Sequence, residues 1–293
     1  MDRLKFLKLI SMIPVMTTFK LTDLQAMATP NGETGSMPLL FLGHGSPMNA
    51  IEENEFVAGF RNIAKEFEKP AAVFCISAHW ETRGTFVTVA QKPRTIHDFG
   101  GFPKELFEVQ YPAPGNPELA GEIKTGIKNI QIGLDEKWGL DHGCWSVVKH
   151  LYPEADVPVL QMSLDYNLTP AGHYALAKEL AWLRKKGILI VGSGNMVHNL
   201  GMVAWDKLDQ AGFGFDWAME ASEKMKSAIM NRDHQSLMKY KTLGKAVNLA
   251  VPTPEHFLPL LYVLALQEKN ETTGFFNDKP VAGSLTMTSV MVG

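Results

Sequence analysis

Five of the nine histidines in this chain of 293 residues stand where a folded chain could gather them. His44 lies in Gly43-His44-Gly45-Ser46-Pro47, and His79 in Ser77-Ala78-His79-Trp80. His198 ends the stretch Gly192-Ser193-Gly194-Asn195-Met196-Val197-His198. Each of the three comes after a short apolar run. His142, in Asp141-His142-Gly143-Cys144-Trp145, and His256, in Thr253-Pro254-Glu255-His256, sit in turn-rich or helix-start settings. Neutral imidazole offers a lone pair to a borderline-soft cation, so several histidines with few carboxylates suit Fe(II) or Zn(II), not Mg or Ca. A single histidine after a strand is more often a hydrogen-bonded structural residue, and no compact HExxH signature is present. The joint case rests on three imidazoles at equivalent strand exits.

The apolar runs are the elements that must deliver these side chains. Pro38 to Leu42, Ala71 to Ser77, Val157 to Leu164 and Gly187 to Gly194 are nearly uninterrupted in apolar residues, as strands covered on both faces are. Ile51 to Phe67, Pro170 to Lys185 and Phe213 to Arg232 have helical spacing, the last with Trp217, Ala221, Met225 and Ala228 on one face. A further helix is expected to open at Thr253-Pro254, with Thr253 as cap, Pro254 at the first position, and Pro259 as a kink. The alternation predicts an α/β fold: one three-layer domain, with a mostly parallel or mixed central sheet and helices on both faces. In open α/β sheets the ligand crevice lies outside the carboxyl ends of the strands, where His44, His79 and His198 fall.

His150, His173 and His234 lie in helical stretches and read as surface or packing residues. Trp80, Trp145 and Phe102 could line an aromatic pocket, but core packing is as good an account. Ser46 has no GxSxG elbow around it and reads as a loop cap. Asp141 either orients an imidazole or caps a turn. The glycine-rich turns match neither GxxxxGK[ST] nor GxGxxG, which argues against nucleotide binding. A net charge of -3 leaves no basic footprint for nucleic acid or a membrane surface. Two cysteines, Cys75 and Cys144, make no disulfide framework, so a reduced, cytoplasmic setting is the simpler expectation. Residues 1–36 read as an N-terminal extension, with a short apolar run, Leu9 to Met16, and Ala26-Met27-Ala28 resembling a cleavage site; export through it is the alternative. Residues 37–293 form the expected catalytic domain, after a linker from Pro30 to Ser36. No segment reaches the ~20 apolar residues that span a bilayer.

Six motifs carry a resemblance. Leu42-Gly43-His44-Gly45-Ser46-Pro47-Met48, Ser77-Ala78-His79-Trp80, Ile96-His97-Asp98-Phe99-Gly100-Gly101-Phe102-Pro103, Asp141-His142-Gly143, Gly194-Asn195-Met196-Val197-His198-Asn199 and Pro252-Thr253-Pro254-Glu255-His256-Phe257 follow in order. From about Met37 to the C-terminus the chain resembles the DOPA extradiol dioxygenases of the class III extradiol superfamily. The resemblance implies His44, His79 and His256 as metal ligands, His198 as the catalytic acid/base, and His142 as a second catalytic histidine near substrate or dioxygen. His97 is a weaker candidate for the substrate-pocket wall. In the wider superfamily the third ligand is a Glu; here Glu255 precedes His256 and is expected to support it or to sit at the helix N-terminus.

The implied reaction opens a catechol with Fe(II) and O2 to a muconic semialdehyde. A neutral His198 near its ordinary pKa of about 6.5 would take a substrate proton. The implied partners are a small catecholic substrate and O2. Zn(II) fits the same donors without supporting redox chemistry. Two rival functions share the fold: a zinc-dependent hydrolase, and a non-catalytic metal- or phenol-binding protein.

Overall fold

In a computed structural model, which describes residues 36–208, 210 and 212–293, the buried run Leu39–Gly43 forms strand β1. The further strands are β2 (Ala72–Thr82), β3 (Thr85–Thr88), β4 (Ile132–Asp135), β5 (Val159–Asp165), β6 (Ile188–Gly194), β7 (Thr273–Phe276), β8 (Pro280–Val281), β9 (Leu285–Thr286) and β10 (Ser289–Val292). Eight form one sheet in the order β4-β3-β5-β2-β6-β1-β10-β7, and β8 pairs with β9. The four central strands β5, β2, β6 and β1 are mutually parallel. The sheet is mixed, because β3 runs against β5, and β10 runs against both β1 and β7.

Among the described residues ten α-helices accompany the strands: α1 (Glu55–Ile63), α2 (Lys104–Phe107), α3 (Pro117–Gly126), α4 (His142–Leu151), α5 (Pro170–Lys178), α6 (Ala181–Lys185), α7 (Asp216–Met230), α8 (His234–Met238), α9 (Lys245–Ala250) and α10 (Leu258–Ala265). Alternation along the strands separates two cores. Leu39, Phe41, Phe74 and Ile190 face a layer holding Leu176, Met225, Leu260 and Val263 from α5, α7 and α10. Leu40, Leu42, Cys75 and Val191 face Phe60, Trp145 and Val148 from α1 and α4. Burying each such Leu or Phe contributes about 1.5–3 kcal/mol, and both faces of the sheet are covered. The three-layer α/β expectation therefore holds.

Several boundaries differ from the expectation. The stretch 170–185 is broken into α5 and α6 at Glu179 and Leu180, and α7 is shorter at both ends than 213–232. Helix α10 does not open at Thr253-Pro254. It starts at Leu258, and Pro259 falls in its first turn, where a missing N–H breaks no helical bond, so it starts the helix and does not kink it. Strand β2 continues past Ser77 to Thr82, with a register shift between Ile76 and Glu81, so His79 lies within the irregular end of a strand. The signal-like segment and most of the linker lie outside the described residues. Among the described residues no helix is long and apolar enough to cross a membrane.

Candidate metal centre

Backbone contacts at the carboxyl edge of the parallel strands place the histidines before their rings are considered. His44 directly follows β1, and its N–H donates to the carbonyl of Gly194 at the end of β6, at 3.1 Å. The Asn195 N–H donates to the His256 carbonyl at 2.9 Å. A Cβ on Gly194 would fall 2.1 Å from that carbonyl oxygen, so this approach requires glycine. The His198 N–H donates to the Ala250 carbonyl at 2.8 Å. His142 opens α4, whose cap is Asp141: its Oδ1 accepts from the Cys144 N–H at 3.0 Å and from the Ser77 hydroxyl at 2.7 Å. Its Oδ2 accepts from the Gln161 amide at 2.7 Å. At Gly143 a Cβ would lie 2.8 Å from the His79 ring, so α4 can press its first turn against β2 only with glycine there.

The rings converge. His44 and His79 face each other through their Nε2 atoms at 3.1 Å, and one ring nitrogen each from His44, His79 and His256 lie within 4.8 Å of one another. Tetrahedral Zn–N bonds of about 2.0–2.1 Å put neighbouring ligand nitrogens roughly 3.3 Å apart, so this spacing fits a shared cation. The outer nitrogens support that use. Ser193 donates its only hydroxyl proton to the Gly143 carbonyl, so towards His44 Nδ1, 3.0 Å away, it is an acceptor. His44 is thereby protonated on Nδ1 and presents a lone pair on Nε2. The Glu255 carboxylate does the same for His256, accepting from Nδ1 at 3.0 Å, and is itself held by the Thr253 hydroxyl at 2.9 Å. Two further groups, His79–Asp98–His142 and His198–Glu255–His256, have comparable spacing, but each carboxylate in them is already engaged with a neighbouring histidine.

Two other imidazoles flank the three. The His198 ring stacks on His256 with centroids 3.5 Å apart and planes within 9°. The His142 ring lies 3.9 Å from that of His79. Burial, then the neighbouring rings, lowers His44 and His79 well below the ordinary histidine range. Burial also lowers His256, against the pull of Glu255. Burial and the His256 ring bring His198 down to about 3. All four are therefore neutral at pH 7, the form that coordinates a metal or accepts a proton. For His198 this corrects the expected ordinary pKa, because in this packing it is a weaker base than a free imidazole. Burial works to raise Glu255, but bonds from His256, its own backbone and Thr253 outweigh it and hold it at about 2.

The structure gathers His44, His79, His142, His198 and His256 and leaves His97 apart. His97 donates from Nε2 to the Val109 carbonyl at 2.9 Å and stands behind Phe99, which meets the edge of His142. Glu255 touches His256, as expected, but lies in the turn before α10 and not in its first helical turn. Ser46 caps the short helix Pro47–Ala50. Trp80 stacks on Trp138, and Trp145 donates to the Ile96 carbonyl, so both are packing residues. His150, His173 and His234 are bonded to Asn49, Tyr262 and Tyr174 within the helical layers. Burial and the adjacent Cys75 thiol raise Cys144 well above the usual thiol range.

Three contributors carry no signal of their own in the sequence: Ser193 lies in a glycine-rich turn, Gln161 in a strand-like run, and Asp98 in a motif named for its histidine. Asp98 Oδ1 accepts from the His142 N–H at 2.8 Å, and its Oδ2 lies 3.0 Å from His142 Nδ1. Burial works to raise its carboxyl, but the contacts with His142 outweigh it and hold it below the usual range.

Residues 38–285 match the family described as the catalytic LigB subunit of aromatic ring-opening dioxygenase. The chain is 42% identical over 261 residues to a 4,5-DOPA dioxygenase extradiol of Escherichia coli K12, covering 88% of this chain and 95% of that protein. It is 37% identical over 238 residues to the protein of the same name from Beta vulgaris, covering 78% of this chain and 87% of that one. A crystal structure of an uncharacterized Escherichia coli K12 protein superposes with a TM-score of 0.76 at 37% identity, covering 88% of this chain and all of that one.

Proposed function

This chain belongs to the family of the catalytic LigB subunit of aromatic ring-opening dioxygenases, and we propose that it opens catechols such as DOPA, with Fe(II) and O2, to a muconic semialdehyde. The observation that carries the reading is the convergence of one ring nitrogen each from His44, His79 and His256, flanked by the rings of His142 and His198. His44, His79 and His256 are the proposed ligands, with Ser193 and Glu255 fixing two of their tautomers. Fe(II) held by these three residues would supply Lewis acidity and the one-electron chemistry that dioxygen requires. Zn(II) suits the same donors as an inert occupant.

His198 takes the substrate hydroxyl proton onto a ring nitrogen and later returns it to the product. Among the described residues its ring makes no hydrogen bond, which leaves it available to substrate. An anionic catechol beside it raises its pKa again from about 3, strengthening the base when it is needed. His142, on the other side of the proposed ligands, is the second catalytic histidine and acts as a hydrogen-bonding partner to bound substrate or dioxygen. His97 supports the pocket wall through Phe99. The catalytic unit is residues 37–293, and the free, buried thiols Cys75 and Cys144 support a reducing, cytoplasmic setting.

The test is anaerobic reconstitution with Fe(II), then addition of DOPA and air, following oxygen uptake and the visible spectrum. A yellow product that forms with oxygen consumption, and not with Zn(II), is expected. A filled metal site with no uptake on DOPA or a panel of catechols would transfer the assignment to a zinc hydrolase or a binding protein.

A further inference from the structure

Asp98 meets the site from a loop, far in sequence from the histidine it touches. Its Oδ1 accepts the His142 backbone N–H at 2.8 Å, which fixes where α4 begins relative to the loop. Its Oδ2 lies 3.0 Å from His142 Nδ1 and 3.7 Å from His79 Nδ1. The first is a hydrogen-bonding distance and the second is not. His142 Nδ1 is fully buried and has no in-line partner, so the 3.0 Å contact is bent. Such contacts often straighten once the reacting species is seated. The other nearby acid, Asp141, is committed to Ser77, Cys144 and Gln161 and is not bonded to the ring.

We propose that Asp98 is a positioning residue that holds His142 with its proton on Nδ1, so that Nε2 is presented to the bound species as a hydrogen-bond acceptor. A carboxylate can only accept, so any hydrogen bond it makes to Nδ1 requires the proton to be there. An imidazole whose single proton sits on Nδ1 has its lone pair on Nε2. The role at His142 rests on the ring-opening reading, whereas the tautomer is a property of the protein alone.

The discriminating substitution is Asp98→Asn. The amide keeps an oxygen for the His142 N–H, so the fold of the loop is retained. Its nitrogen replaces Oδ2 and donates to Nδ1, which forces the proton to Nε2. In the Zn(II)-loaded wild-type protein, 15N-resolved NMR of His142 is expected to show the Nδ1–H form, and Asp98→Asn the Nε2–H form. With Fe(II), Asp98→Asn should keep metal affinity within about threefold and KM nearly unchanged while kcat falls roughly 10²-fold, in the range of acid/base and orienting groups. An Nε2–H His142 in the wild type overturns the proposal without any variant. So does an Asp98→Asn protein with wild-type tautomer and turnover. Loss of metal with an unchanged His142 tautomer would assign Asp98 to His79 instead. If the wild type opens no catechol, the ring-opening reading fails, and the spectra still decide the tautomer.

Discussion

At the scale of single residues, ligands and proton carriers separate by what their loss should do. His44→Ala, His79→Ala and His256→Ala are each expected to weaken metal binding severely, read by metal content after dialysis. His198→Ala should keep its metal and lose turnover by roughly 10²–10⁴-fold, the usual contribution of a positioned acid/base. Full activity in His198→Ala would remove it from the mechanism. Glu255→Gln leaves the His256 ring in place but weakens the acceptor at its Nδ1, and a 10–100-fold lower metal affinity is expected. Metal retained by His256→Ala but lost in Glu255→Ala would reverse the choice of third ligand.

At the scale of elements, the site depends on how closely two strand ends and two turns can approach. The Gly194 Cα faces the His256 carbonyl so closely that any Cβ must displace the turn carrying that proposed ligand. Gly194→Ala is therefore expected to lose about 1–3 kcal/mol of stability, as overpacking does, and to weaken metal binding in the same protein. Gly121, inside α3 with nothing near its missing Cβ, supplies the contrast: Gly121→Ala should gain up to about 1 kcal/mol and leave the metal affinity unchanged. Urea unfolding and metal titration of both variants read the two effects separately. A Gly194→Ala protein of normal stability and affinity would show that the turn before α10 moves freely, against the packing described.

At the scale of the whole molecule, two buried polar groups tie the layers together away from the candidate metal centre. Arg184 donates to the carbonyls of Met37 and Leu266 and pairs with Glu271, clamping the start of β1 to the exit of α10. Arg184→Ala leaves these acceptors and a largely buried carboxylate unpaired, so a loss of about 3–5 kcal/mol is expected, with metal affinity unaffected. His173 is fully buried between α5 and α10, bonded through Nδ1 to the Tyr262 hydroxyl, and burial lowers it to about 4. The unfolded chain, with an ordinary histidine near 6.5, binds the proton more tightly than the native state. Stability from this group is thus fully present above about pH 6.5 and falls as the pH drops to about 4, by an amount on the order of 3 kcal/mol. Urea unfolding from pH 7 to 4 should show this slope, and His173→Gln should remove that part of it.

The sequence by itself determined the fold class and the sheet edge at which the histidines gather. Unbroken apolar runs can be buried only between two helical layers, and parallel strands must deliver His44, His79 and His198 to one side. It also supplied the family, because six short motifs in order are local properties of the chain. What it could not settle were contacts between atoms distant in sequence. Asp141 was equally a cap or an imidazole orienter until Ser77 and Gln161 were seen to occupy it, and Asp98, 44 residues from His142, showed its contact only in space. Ser193 became a determinant of the His44 tautomer only when α4 brought the Gly143 carbonyl to its hydroxyl. The depressed pKa of His198 belongs to the same class: burial and the stacked His256 ring set it, and both come from packing. Hydrogen-bond direction and desolvation depend on separations of a few ångströms, which spacing along the chain does not encode.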